Sequence, residues 1–294
     1  MFRQATKQQS KLRMTIDGPA GSGKTYTALR FATALAAGGR IAFIDTERGS
    51  ASKYVGEAPD GIPFNFDVLE LITFSPEKYT DAILAAGRSG YSVLIVDSLS
   101  HAWEGVGGAL EIKDRQGGNQ WTAWRNVTPI HNRMVDTILQ SPLHVITCMR
   151  SRMDYVQEQD DKGKTVIRKI GMAPIQRPGM EYEFDLVCDM DWSHILTVSK
   201  SRCPAVADMK CEKPGPEFLR PVIEWLSAGN PSYTPPTPQN APVEPQQTRT
   251  APAITLEELC DLFGADRVLA ANEGKIPGTS EEVAAVAVKL AGGG

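Results

Sequence analysis

Eight consecutive residues, Gly18, Pro19, Ala20, Gly21, Ser22, Gly23, Lys24 and Thr25, follow the pattern G-x-x-x-x-G-K-[ST], between an apolar run and a helical stretch. In that context the glycines let successive backbone N–H groups curl around phosphate oxygens, and the helix N-terminus adds the positive end of its dipole. Lys24 is placed to reach the β and γ phosphates of ATP, and Thr25 to ligate Mg²⁺ through its hydroxyl. Such a site also needs a carboxylate at the end of another apolar strand, and residues 93–97, VLIVD, end on Asp97. Ser98 follows, so the adjacent second carboxylate that often polarises the attacking water is absent. The base must come from elsewhere. Glu47, in FIDTE at the end of the strand after the glycine-rich loop and its helix, is the candidate. Ligands bind at the carboxyl edge of open α/β sheets, so Glu47 would face the γ-phosphate and orient water. Outside that context it reads as a solvated loop glutamate.

The elements that must position these residues are legible from residue 12 to residue 202. Apolar, β-branched runs alternate with helical stretches, the pattern of a mainly parallel sheet with crossover helices. Strands are expected at 13–17, 41–45, 66–71, 93–97, 144–148, 185–189 and 195–199. Helices are expected at 24–37, from the Ser75-Pro76 cap to Gly87, and at 122–140. The last two strands, joined by Asp191-Trp192-Ser193, read as an antiparallel hairpin closing the sheet. The expected fold is an α/β P-loop core over 1–227. A proline-rich, solvated linker is expected over 228–253, and a small helical module over 254–294. In that module Thr255-x-x-Glu258 and Thr279-x-x-Glu282 are capping boxes, and Val283, Val286 and Leu290 share a face.

With these segments in hand, GPAGSGKT, FIDTE and LIVDS match in order and spacing, and the chain resembles the core of RecA-type recombinases among AAA-family P-loop ATPases. It looks closest to the small phage ATPases of the Sak single-strand-annealing group. The resemblance implies a RecA-like fold, ATP hydrolysis with Mg²⁺, single-stranded DNA as partner and a homo-oligomer in filament or ring form. It also implies roles for further residues. Tyr54, seven residues after Glu47, stands where bacterial members place a tyrosine that stacks on adenine. Lys200 and Arg202, in LTVSKSR, are similar to the alternating basic pair that reaches across the interface to a neighbour's γ-phosphate. Their period-2 spacing puts both on one side of a strand; the same pair also fits a solvated edge strand that resists aggregation. Where recombinases carry a polar sensor amide this chain departs from the pattern with Met149-Arg150, and Arg150 would there sense the γ-phosphate as a cation instead.

RecA-type proteins hold single-stranded DNA with two loops after sheet strands, and two segments here are comparable. The first, 103–120, is glycine-rich and carries Lys113 and Arg115 with Trp103 and the adjacent Trp121. The second, 150–177, has seven basic residues (Arg150, Arg152, Lys162, Lys164, Arg168, Lys169, Arg177) against four acidic ones. Its middle, 155–170, reads as a hairpin with its turn at Asp160-Asp161-Lys162-Gly163. Mixed charge on a solvated hairpin needs no partner; phosphate contacts with stacking would give sequence-tolerant, salt-sensitive binding.

Composition bounds these expectations. The 294 residues are 41% hydrophobic and 22% charged, enough for a sizeable core. The net charge of −4 argues against a nucleic-acid binder that works by overall charge, so any basic surface must be local. Residues 244–294 hold eight acidic and four basic side chains, which leaves the rest neutral; such a tail would compete for the chain's own basic surface or bind a protein partner, such as a replication or single-strand-binding protein, and charge alone does not choose between them. The five cysteines are odd in number and form no C-x-x-C pair, as expected for reduced thiols. The polar N-terminus and the lack of a run of about 20 apolar residues predict a cytoplasmic chain, in the bacterial host if phage-encoded, with no membrane partner. Two other readings stay open: an AAA+ motor or helicase loader, and a nucleotide-switched adaptor of replication proteins.

Overall fold

The computed structural model describes residues 2, 4–57, 61, 63–116, 120–159, 165–230, 270–272, 277, 282–283 and 285–286, with no side-chain description at 120–122 and 155–170. The chain divides into two compact units, Met1–Pro235 and Pro236–Gly294.

In the first unit β1 (Arg13–Gly18) enters the glycine-rich loop and leads to α1 (Lys24–Ala36). Next comes β2 (Ile41–Asp45), then a 3-10 turn at Ala51–Tyr54. A two-stranded ribbon follows, β3 (Gly56–Glu57) with β4 (Pro63–Phe64), and then the edge strand β5 (Asp67–Glu70). Helix α2 (Pro76–Arg88) starts at Ser75, whose side chain accepts from Lys78 N–H, with Pro76 in the first turn where a missing N–H costs nothing. Beyond β6 (Val93–Asp97) lie α3 (His101–Glu104), α4 (Ala109–Arg115) and α5 (Gln120–Gln140). The strand β7 (His144–Gln159) is sixteen residues long and pairs back with β8 (Thr165–Pro174). The unit closes with β9 (Leu186–Met190), β10 (Ile195–Ser201), β11 (Lys210–Glu212) and α6 (Pro216–Ser227).

The main sheet runs β11-β10-β9-β1-β7-β6-β2-β5. From β9 to β5 every pairing is parallel; β10 and β11 pair antiparallel at the other end. The expected α/β fold, mostly parallel with an antiparallel C-terminal hairpin, is therefore the observed one. Central strands β1, β2 and β6 are buried along their whole length, which is why β2 and β6 read as near-continuous apolar runs, while β1 also buries Arg13, Thr15 and Asp17. One face packs on α1 and α6, through Leu29, Phe31, Phe218 and Leu219. The other packs on α2 and α5, through Tyr79, Ile83, Met134 and Ile138. Phe31 and Phe218 stack with centroids 5.4 Å apart.

Three expectations change. The segment 103–120 is not one open loop: among its described residues 103–104 end α3, a turn spans 105–108, 109–115 form α4 and 120 opens α5, with an i,i+4 Glu111–Arg115 ion pair on α4. The hairpin within 150–177 is longer than the expected 155–170, since β7 leaves the core and runs straight into it, paired from Ser151–Pro174 to Gln159–Thr165 with a bulge at Asp154/Tyr155. The start of the expected linker is not solvated coil. Asn230 bridges Gln8, and its N–H donates to Lys7 O at 3.0 Å. Strand β11 and α6, which were not anticipated, complete that end of the unit. Residues 231–269, which hold most of the linker and the Thr255 capping box, lie outside the described residues. In the second unit Glu282–Val283 and Ala285–Val286 are helical, with Val283 and Val286 buried. No helix among the described residues is long and apolar enough to cross a membrane. Cys148, Cys188, Cys203 and Cys211 are free thiols, the first three buried.

Candidate active site

The glycine-rich loop opens at the carboxyl edge of β1. Gly21 and Gly23 have φ of +78° and +95°, left-handed values that a residue with a Cβ adopts only at a cost. Gly18 has a packing reason of its own: a Cβ there would lie 2.5 Å from the carbonyl oxygen of Met190. The Lys24 ammonium donates to the carbonyls of Gly18 and Pro19, each at 2.8 Å, folded over its own loop. Thr25 Oγ1 donates to Asp97 Oδ2 at 2.5 Å, so the hydroxyl and the carboxylate expected to share a metal already meet. Ser22 Oγ is buried with no hydrogen-bond partner. A cradle that a Cβ would fill, an orphaned hydroxyl, a lysine resting on carbonyls and a Thr–Asp pair fit a nucleotide phosphate chain with Mg²⁺.

Burial pushes the Asp97 carboxyl up to about 6, against the hydrogen bond from Thr25, and nearby Glu47 raises it further. Asp17, beneath the loop, is pushed up to about 8 by burial, although Thr15 Oγ1 donates to it at 2.9 Å.

Glu47 follows β2 in a turn organised by Asp45. Oδ1 of Asp45 accepts from Glu47 N–H at 2.6 Å and Oδ2 from Ala51 N–H at 3.0 Å. The turn is completed by Arg48 and Gly49, both at positive φ. The Glu47 carboxylate is gripped by Arg150: Nε donates to Oε1 at 2.9 Å, and Nη2 to Oε1 and Oε2 at 2.6 and 2.7 Å. The fold therefore brings the expected base and the expected sensor together. Arg150 also stands beside Gly18 in the β1–β7 register, and its N–H donates to Ser100 Oγ at 2.9 Å.

Sequence reading missed His101, four residues beyond Asp97. Thr46 Oγ1 accepts from Ser98 N–H at 2.7 Å and lies 2.7 Å from His101 Nδ1. The Thr46 hydroxyl also donates to Ser98 O at 3.4 Å, so it ties His101 to the turn after β6. Burial lowers the His101 pKa, Arg150 lowers it further and Glu47 opposes. The signal available in sequence was a titratable residue just past the strand that ends on Asp97, which only the sheet order places beside Glu47.

The remaining candidates fall elsewhere. Tyr54 is 39% exposed and its ring centroid is 6.2 Å from that of Tyr26, on the first turn of α1. Lys200 and Arg202 lie at the far edge of the parallel strands, since Ser201 pairs with Leu186 whereas the loop follows the other end of β1. Neither reaches the phosphate loop of its own chain. Lys200 Nζ donates to the carbonyls of Glu181, Tyr182 and Phe184, while Arg202 pairs with Asp185 at 2.8 Å. Of the first DNA candidate, Lys113 is 20% exposed, paired with Asp114 and set over the Trp124 ring, and Arg115 pairs with Glu111. Trp103 is not a free stacking surface because it stacks on Trp124 at 5.5 Å. Of the second, Arg152 is exposed and Arg177 bonds Asn132 at 3.2 Å. Arg168 and Lys169 lie on β8 opposite Val156 and Tyr155. Lys162, Lys164 and the expected turn lie outside the described residues.

A family model described as an AAA domain matches residues 10–206. None of the curated proteins matches the chain.

Proposed function

Starting from a chain that belongs to the AAA-domain family, we propose that it is a Mg²⁺-dependent ATPase of the RecA type that binds single-stranded DNA and promotes annealing or strand pairing, closest in kind to the phage Sak group. The observation that carries the reading is the continuity of β7. One strand holds Arg150 against Glu47 at the phosphate loop and runs without interruption into a hairpin whose sequence is rich in Arg and Lys.

Gly18–Thr25 would cradle the triphosphate, with Lys24 moving from its loop carbonyls to the β and γ phosphates. Thr25 and Asp97 would hold Mg²⁺, which when bound neutralises charge on the phosphate oxygens. Glu47 would accept the proton of the water attacking the γ-phosphorus as the bond to the leaving ADP oxygen breaks. For that its carboxylate must leave the Arg150 fork, and Arg150 is then available to the γ-phosphate. Tyr54 would offer its ring to the base. Because Lys200 and Arg202 face away from their own loop, a head-to-tail oligomer is the arrangement in which they serve a phosphate site. Arg202, 54% exposed in a single ion pair, is the readier of the two. The hairpin residues Arg152, Lys162, Lys164, Arg168 and Lys169 would contact DNA phosphates, and the acidic tail a replication partner.

The test is ATP turnover with and without single-stranded DNA, for the wild type and Glu47→Gln. Stimulation by DNA, and a loss in the variant on the order of 100-fold or more, are expected. An unaffected variant removes Glu47 as base. Absence of nucleotide-dependent DNA binding at moderate salt removes the DNA role and leaves the ATPase.

A further inference from the structure

We propose that His194 is a positioning residue for the phosphate loop, holding it from outside through the carbonyl of Ser22; this rests on the nucleotide reading of residues 18–25. His194 ends the turn between β9 and β10, and the turn is well anchored. Asp191 Oδ1 accepts from the N–H groups of Ser193 and Ile195 at 2.9 and 3.0 Å. His194 N–H donates to Asp191 O at 3.1 Å, and His194 O accepts from Lys213 N–H at 2.8 Å. The residue is held at φ +61°, a left-handed conformation uncommon outside glycine.

From that position Nδ1 lies 3.0 Å from Ser22 O. A carbonyl oxygen only accepts, so Nδ1 carries the proton. Gly23 makes the approach possible: a Cβ there would stand 3.3 Å from Nδ1 and 3.5 Å from Met190 Cε. The consequence follows from peptide planarity. The C=O of Ser22 and the N–H of Gly23 belong to one rigid trans unit and point opposite ways. Holding the carbonyl outward on His194 therefore aims the Gly23 N–H inward, toward the phosphates. The contact spans 172 residues of chain, so the antiparallel end of the sheet braces the loop at the head of β1.

The test uses the full chain and three ligands, ATP with Mg²⁺, ADP with Mg²⁺, and inorganic tripolyphosphate, titrated by calorimetry. His194→Gly removes the imidazole and suits the left-handed backbone, so folding is not at stake. His194→Asn also tolerates that backbone and places an amide donor close to where Nδ1 stands. His194→Gly is expected to weaken all three ligands by ~5–10-fold, the value of one hydrogen bond. The half-saturating ATP concentration should rise in step, with a smaller change in kcat, and His194→Asn should recover most of the loss. Wild-type affinity for tripolyphosphate in His194→Gly overturns the proposal, as does a His194→Asn variant as weak as His194→Gly. If the wild type itself binds none of the three, the nucleotide reading falls as well.

Discussion

At the residue scale, the groups expected to meet phosphate and metal are engaged with one another: Lys24 on loop carbonyls, Thr25 on Asp97, Arg150 on Glu47. The Glu47–Arg150 pair is 30% and 43% exposed, so its contribution to stability is small, about 0–1 kcal/mol. Its importance lies in geometry. Arg150→Lys keeps the charge but loses the planar fork. It is expected to lower kcat clearly while shifting the unfolding free energy by less than ~1 kcal/mol; wild-type turnover in this variant would end Arg150's assignment. Asp97 carries a pH dependence. With its carboxyl at about 6, it holds a proton below that pH, and Mg²⁺ must displace the proton to bind. Half-saturating Mg²⁺ should rise roughly fourfold from pH 7.5 to 5.5 by simple proton competition. A flat profile would show that Asp97 does not take the metal. The Thr25–Asp97 contact joins two residues that local motif and strand pattern had already singled out. His101 was not singled out, because its relation to Thr46 depends on β2 and β6 lying side by side.

At the element scale, local pattern located the strands and helices of the parallel region, since buried strands read as apolar runs and α2 opens with a Ser-Pro cap. It misjudged segments whose state depends on what they pack against. Residues 109–115 form α4, and Lys113 is used on Trp124 inside the chain. The basic residues of the hairpin thus become the leading DNA candidates, with those of 103–120 demoted. Neutralising Arg152, Arg168 and Lys169 together is expected to weaken single-stranded DNA binding and to reduce its salt dependence by about two units of slope, measured by titration across salt concentrations. An unchanged slope would place the DNA elsewhere. Helix α6 covers α1 through the Phe218–Phe31 stack, so Phe218→Ala should cost ~3–5 kcal/mol in urea unfolding. A cost below 1 kcal/mol would mean that α6 is not part of the cooperative core.

For the whole molecule, the two ends of β1 carry different duties. The carboxyl end bears the phosphate loop; at the other end lie buried Arg13, bonded to the carbonyls of Leu139 and Leu143, and His144, whose Nδ1 accepts from Leu12 N–H at 3.1 Å. Burial pushes His144 down to about 4, and Lys11 and Arg13 add to the effect. A depressed histidine contributes stability that is complete above its unfolded value near 6.5 and is lost as pH falls toward 4. Asp17, raised to about 8, works in the opposite direction, so the histidine is isolated by comparison with His144→Asn. Between pH 7 and 5 the wild type should lose more stability than the variant, on the order of 1–2 kcal/mol; equal losses would refute the assignment. The sequence by itself determined the phosphate-loop motif, the carboxylate that ends β6 and the α/β class, because each depends on residue type at short spacing or on local hydrophobic period. Only the tertiary structure decided that Arg150 grips Glu47, that Lys200 and Arg202 face away from their own loop, and that His194 braces Ser22. Those relations join residues 100 or more positions apart, or depend on which end of a strand a side chain occupies, and both are settled by strand order and direction.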